Sequence, residues 1–152
     1  MMEGGCDCGA VRYRMNAEPM MVHCCHCRWC QRETGSAFVI NAVVETSNLE
    51  VTGETMMVDT PSASGKGQKI VRCPKCHVAL WSHYPRAGTA LAFVRAGTLA
   101  DPGACPPDVH IFTSTKLPWV TVPQGAKVFE EFYDVSAVWP AEALARAAAA
   151  RG

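Results

Sequence analysis

Several features that would classify a chain at once are missing here. No apolar run approaches the roughly 20 residues needed to span a bilayer, so no transmembrane helix is expected. The opening MMEGGCDCGAVRYR has no basic segment leading into an apolar one, so it does not read as a secretory leader, and the cytoplasm is the expected location. Neither charge is in excess: fourteen Lys and Arg balance fourteen Asp and Glu, for a formal net charge of zero. That removes the electrostatic reason to expect nucleic acid or an anionic membrane as a partner. No fixed-period repeat and no low-complexity linker divides the 152 residues. With 49% apolar residues the chain can build an ordinary core without cross-links.

Cysteine, by contrast, is abundant. There are nine, and in a reducing compartment an odd number reads as metal ligands or reactive thiols before it reads as a disulfide framework. Seven fall into short-spaced groups: Cys6-x-Cys8, Cys25-x-Cys27-x-x-Cys30 and Cys73-x-x-Cys76. Cys24 and Cys105 are left over. Two cysteines one or two residues apart reach one tetrahedral ion from a tight turn, and a distant second pair completes the site. Cys6 and Cys8 with Cys73 and Cys76 meet that requirement as a structural zinc site whose loss is a loss of folding energy. The four-sulfur set also suits iron, although zinc is preferred. CPKCH, Cys73 to His77, formally matches a haem-attachment motif, but haem would need export and would strand Cys6 and Cys8. No βαβ pattern surrounds either C-x-x-C, which argues against a thioredoxin-like site.

The triplet Cys25, Cys27 and Cys30 stands apart as a second metal-binding set, catalytic or structural according to what takes the fourth corner. Three protein ligands with an open fourth position are typical of catalytic zinc, and a fourth protein ligand would make the site structural. Cys24, His23, His26, His110 and Cys105 are the protein groups available to close it. Cys24 and His26 sit beside ligands in sequence, where adjacent side chains point apart. His110 or Cys105 would have to be brought in by the fold.

Around these groups, short runs rich in Val, Ile, Thr and aromatics alternate with turn signals such as SASGKG, DPG and PQG. The runs include AVRYRM, SAFVINAVVE, MMVDT, KIVRC, VALWSHY, ALAFVRAGTL, HIFTST, WVTV and KVFEEFYDV. They predict a mainly β domain of about eight to ten strands. A short helical turn is expected over residues 27–33, stopped near Gly35. A C-terminal helix is expected from Pro140, with an alanine face that offers little to hold it down. The organisation expected is one zinc-binding β domain over residues 1–135 and a helical tail over 136–152.

The segments GGCDCGAVRY, CHCRWCQRETGSAF, RCPKC and PPDVHIFTSTKLPW together resemble the glutathione-dependent formaldehyde-activating enzyme family, which also holds the centromere protein V relatives. The resemblance runs from about Gly4 to Trp119. It implies a β-tent, two antiparallel sheet layers meeting at an angle, with two zinc ions per chain. One would be structural on Cys6, Cys8, Cys73 and Cys76, the other on Cys25, Cys27 and Cys30. It also implies glutathione as the thiol partner and addition of that thiol to formaldehyde. The sequence departs from the commoner pattern at Arg28, Trp29 and Gln31, and at His77, where glycine is usual. A knuckle there needs a left-handed residue, which histidine tolerates better than most. The leading expectation is a carbon–sulfur lyase acting on a thiol adduct of a small aldehyde. Its rival is a non-catalytic zinc-stabilised protein-binding domain, and the fourth position of the triplet discriminates the two. Arg28, Arg32, Lys66, Lys69, Arg72 and Lys75 are the cations available to a carboxylate ligand, Thr34 and Ser36 further donors.

Overall fold

The computed structural model describes the whole chain, Met1–Gly152. Eleven strands form two sheets, so the mainly β expectation holds. The smaller sheet has the order β1-β2-β5 and consists of β1 (Met2–Gly5), β2 (Arg12–Met15) and β5 (Leu49–Thr52), all antiparallel. The larger has the order β11-β10-β3-β4-β9-β8-β7-β6. Its strands are β3 (Met21–Cys25), β4 (Val39–Glu45), β6 (Met56–Thr60), β7 (Gln68–Arg72), β8 (Ala79–His83), β9 (Leu91–Arg95), β10 (Val109–Ile111) and β11 (Lys127–Val128). From β3 to β6 every pairing is antiparallel, but β10 runs parallel to both β3 and β11. The larger sheet is therefore antiparallel as expected, except at one end, where the two β10 pairings are parallel. Asp108 anchors the parallel strand by accepting the Val22 N–H at 2.7 Å, while its own N–H donates to the Val22 carbonyl.

Period-two alternation places a core on each face of the larger sheet. Val22, Ala42, Val44, Ala92 and Val94 point toward the smaller sheet and pack with Val11, Tyr13 and Met15. Met21, Cys25, Val43, Leu91, Val109 and Ile111 point the other way, toward Tyr133, Trp139, Ala143 and Ala147. This is why β3 and β4 carry almost no exposed residue. Gly4 leaves no room for a side chain, since an added Cβ would lie 2.4 Å from the hydroxyl of Tyr13 on the paired strand β2 and 2.6 Å from the Thr98 carbonyl.

Three helices complete the fold: α1 (Arg28–Thr34), α2 (Val135–Val138) and α3 (Ala141–Arg151). None is long and apolar enough to cross a membrane. α1 starts where expected, with the Cys27 sulfur accepting the Cys30 N–H, and ends at Gly35 with φ 63°. α3 is held more firmly than an alanine face alone would manage. Ala143 and Ala147 are buried, and Arg146 makes two bonds to the Glu45 carboxylate of β4 and one to the Glu18 carbonyl.

The C-terminal third differs from the strand expectation. WVTV forms no strand; it lies between Pro118 and Pro123, with a turn bond from Val120 to Leu117. HIFTST leaves the sheet after Ile111, at Phe112, whose φ is 54°. KVFEEFYDV contributes only β11. Beyond it the chain crosses the end of β10, with bonds from Phe129 N–H to the His110 carbonyl and from Phe112 N–H to the Glu131 carbonyl. The aromatics that read as a strand are instead gathered around His23, with the Phe132 and Tyr133 ring centroids 5.9 and 5.7 Å from its own.

Candidate functional site

The sulfurs of Cys6, Cys8, Cys73 and Cys76 converge, all within 4.8 Å of one another. The Cys6–Cys8 and Cys8–Cys73 separations are 3.6 and 3.7 Å. A zinc ion with four sulfurs at about 2.3 Å sets them about 3.8 Å apart, and a disulfide needs about 2.05 Å, so the spacing fits a shared ion. Each pair sits in a knuckle whose backbone points at the sulfur. Val11 N–H donates to Cys6 Sγ and Lys75 N–H to Cys73 Sγ. Backbone N–H groups of Cys8 and Val78 draw the Cys76 thiol down to about 6. His77 closes the second knuckle with φ 61° and an N–H bond to the Cys73 carbonyl, the left-handed conformation anticipated for it.

Cys25, at the end of β3, Cys27, capping α1, and Cys30, one turn into it, form a second convergent set. The three are only 5–6% exposed. Their protons are shared: hydrogen bonds from Cys25 and Cys30 hold Cys27 at about 3, while Cys25 is pushed far up by Cys27 and Cys30. The loop is clamped by α1, by β10 and by the segment after β10. His26 N–H donates to the Ile111 carbonyl, and the His26 carbonyl accepts from Gln31 Nε2 at 2.8 Å and Thr115 Oγ1 at 3.1 Å. Arg72, next to Cys73, pairs with Glu33 of α1 and donates to the His77 carbonyl, tying the two cysteine sets together.

No fourth Cys, His, Asp or Glu joins the triplet. Of the groups available to close it, Cys105 is remote, with its thiol 3.4 Å from Met2 Sδ in the other core. Cys24, His26 and His110 form a separate cluster of their own. His23 is on the triplet's side of β3 but makes other bonds. The triplet instead lines a cavity of about 530 Å³ whose walls include Trp29, Phe93, Phe112, Phe132 and Trp139. Lys66, Arg86, Arg151 and Asp134 also contribute to its lining.

His23 also lines the cavity. Trp139 Nε1–H donates to the Tyr133 oxygen at 2.8 Å, which leaves the Tyr133 hydroxyl hydrogen for His23 Nε2 at 2.5 Å. The tautomer that results carries its proton on Nδ1, which has no partner in the chain. Burial holds the imidazole neutral, with its pKa lowered to about 4, and pushes the Tyr133 phenol up to about 12. Below this wall Arg95 is buried, bonded to Asn41 and Ser82, with no carboxylate within 4.0 Å.

Most of the cations singled out in the sequence are engaged elsewhere. Arg28 bonds Gln31, Lys69 pairs with Asp59, Arg32 lies over the Trp29 ring and Lys75 is exposed. Only Lys66 reaches the cavity. Thr34 and Ser36 close the end of α1, bonding each other and the Cys30 and Phe38 carbonyls. Trp81 is core and Trp119 is 72% exposed. Sequence reasoning passed over the cavity role of His23, although its position two residues before Cys25 on one strand face was a signal. Tyr133, Trp139, Arg86, Arg95 and Arg151 had no local signal at all.

Residues 1–115 match the model of the family described as glutathione-dependent formaldehyde-activating enzyme. A curated relative from Halomonas elongata, named provisionally as such an enzyme, is 27% identical over 128 residues, covering 80% of this chain and 81% of the relative. A crystal structure of a Rhodobacter sphaeroides protein aligns with a TM-score of 0.46 at 19% identity, covering 84% of this chain and 99% of that one.

Proposed function

The chain belongs to the glutathione-dependent formaldehyde-activating enzyme family, and from that premise we propose that it is a cytoplasmic zinc-dependent carbon–sulfur lyase. Its substrate is an adduct of glutathione, or a similar thiol, with formaldehyde or another small aldehyde. The observation that carries this reading is the triplet Cys25, Cys27 and Cys30, which lacks a fourth protein donor and lines a cavity of about 530 Å³. A closed four-ligand site without a cavity would have favoured the protein-binding alternative.

Cys6, Cys8, Cys73 and Cys76 would hold one zinc ion as a structural clip, and Cys25, Cys27 and Cys30 a second. Zinc held by the triplet would supply positive charge able to acidify a thiol or polarise a carbonyl. In the synthetic direction the thiol sulfur bonds to the carbonyl carbon, the C=O π bond breaks, and the thiol proton ends on oxygen. Cleavage is the reverse. His23, whose tautomer is held by Tyr133 and Trp139, is the donor we assign, through Nδ1–H, to the oxygen that gains charge as the C–S bond forms. Trp29, Phe93 and Phe132 give the cavity an apolar wall. Arg86, Arg151 and Lys66 offer cations to the thiol's carboxylates.

Exchange NMR of glutathione with formaldehyde tests the reading. Zinc-loaded protein is expected to speed interconversion above the buffer rate, metal-free protein is not, and Cys27→Ser is expected to lose both the acceleration and one bound zinc. Equal rates for loaded protein and buffer reject catalysis.

A further inference from the structure

We propose that Cys24, His26 and His110 form a third metal site, separate from both cysteine sets, that takes Zn²⁺ through one sulfur and two imidazole nitrogens. The register of the sheet builds it. Cys24 and His26 are two apart along β3 and its extension, so they share the face opposite Cys25 and Cys27. His110 is the direct partner of Cys24 on parallel strand β10. Three donors therefore converge from one strand and its neighbour, with all their ligand atoms within 4.8 Å.

The spacing fits a tetrahedral ion. Zinc with sulfur at about 2.3 Å and imidazole nitrogen at about 2.05 Å sets S and N about 3.5 Å apart and the two nitrogens about 3.3 Å apart. The Cys24 Sγ to His26 Nε2 distance is 3.5 Å, and His26 Nε2 to His110 Nδ1 is 3.0 Å. Two imidazoles and a thiolate are borderline-soft donors, a set that suits zinc. All three residues are buried, at 1%, 0% and 8% exposure, and none lines the cavity. Hydrogen bonding alone serves the cluster poorly. His26 Nε2 has a single lone pair or a single proton to share between the His110 nitrogen and the Cys24 thiol, so one of the two contacts goes unmade. An ion at the centre engages all three atoms at once. Such an ion would pin β10 to β3 directly behind the loop that carries the triplet.

The test is zinc content of the full-length chain after saturation with zinc and removal of the excess. The unmutated chain is expected to hold about three ions, one for each donor set. Cys24→Ala and His110→Ala are each expected to hold about two while keeping the Cys27-dependent ion. Equal content in the unmutated chain and His110→Ala overturns the proposal. Anomalous diffraction at the zinc edge on zinc-soaked crystals of the unmutated chain gives a reading that needs no variant. A peak between Cys24 Sγ, His26 Nε2 and His110 Nδ1 supports the site, and its absence overturns it. The proposal does not rest on catalysis: an inactive protein with this third ion would sink the lyase reading alone.

Discussion

At the scale of single residues, His23 has the most to reveal. It is enclosed by aromatics, so His23→Phe keeps the shape of the wall and removes only the donor. Loss of one preorganised donor to a developing oxyanion lowers kcat by roughly 100-fold, and that is the expected effect on thiol–aldehyde exchange, with KM little changed. Tyr133→Phe leaves the ring in place but frees its tautomer, for a loss of roughly tenfold, in the range found for partners one step removed from the reacting groups. Nitrogen-15 shifts provide a readout that structural damage would not mimic. The His23 proton is expected on Nδ1 in the parent chain and divided between the Nδ1 and Nε2 tautomers in Tyr133→Phe. A parent chain protonated at Nε2 would remove His23 from the proposed role.

At the scale of elements, α3 is the part whose attachment is easiest to measure. It supplies Leu144, Ala147, Ala148 and Arg151 to the cavity, so its docking completes the site. Arg146 holds Glu45 at about 2, below its ordinary 4.5, chiefly through its hydrogen bonds to the carboxylate. A carboxyl depressed in the folded state stabilises it fully above the unfolded value, and that contribution is lost as pH falls through the folded one. Docking is therefore expected to weaken between about pH 4.5 and 2, read as fluorescence change at Trp139. Arg146→Ala should remove about 2 kcal/mol in urea unfolding, between the value of an exposed pair and that of a fully buried one. This element also marks where the sequence stops being legible. The cysteine groups, the α1 turn, the Gly35 stop and the left-handed His77 were all readable, because each is a local rule of spacing or backbone conformation. The Arg146 pairing with Glu45 spans 101 positions, and Tyr133 reaches His23 across 110. No local pattern encodes such contacts. The KVFEEFYDV run failed for the same reason: its apolar residues answer to a distant histidine and not to a pleat.

At the scale of the whole molecule, one cysteine set joins the two sheets and the other lies with the cavity on the far face of the larger sheet. With zinc as the ion, binding at a four-cysteine site is worth about 10–16 kcal/mol, comparable with the entire stability of a domain. Cys73→Ser, or chelation, is expected to abolish cooperative thermal unfolding monitored by circular dichroism; an unchanged melting curve would refute the structural role. The same connection sets an order of events during synthesis. Cys8 and Cys73 stand 65 positions apart. The first hairpin, β1 and β2, is complete by Met15, yet its knuckle has no partner until Cys73 and Cys76 have been added and have emerged from the ribosome. Through that interval Val11, Tyr13 and Met15 lack the sheet that covers them, and two thiols stand open to oxidants. The first hairpin is thus secured only after the sixty or so residues that follow it, and its survival depends on how quickly they arrive.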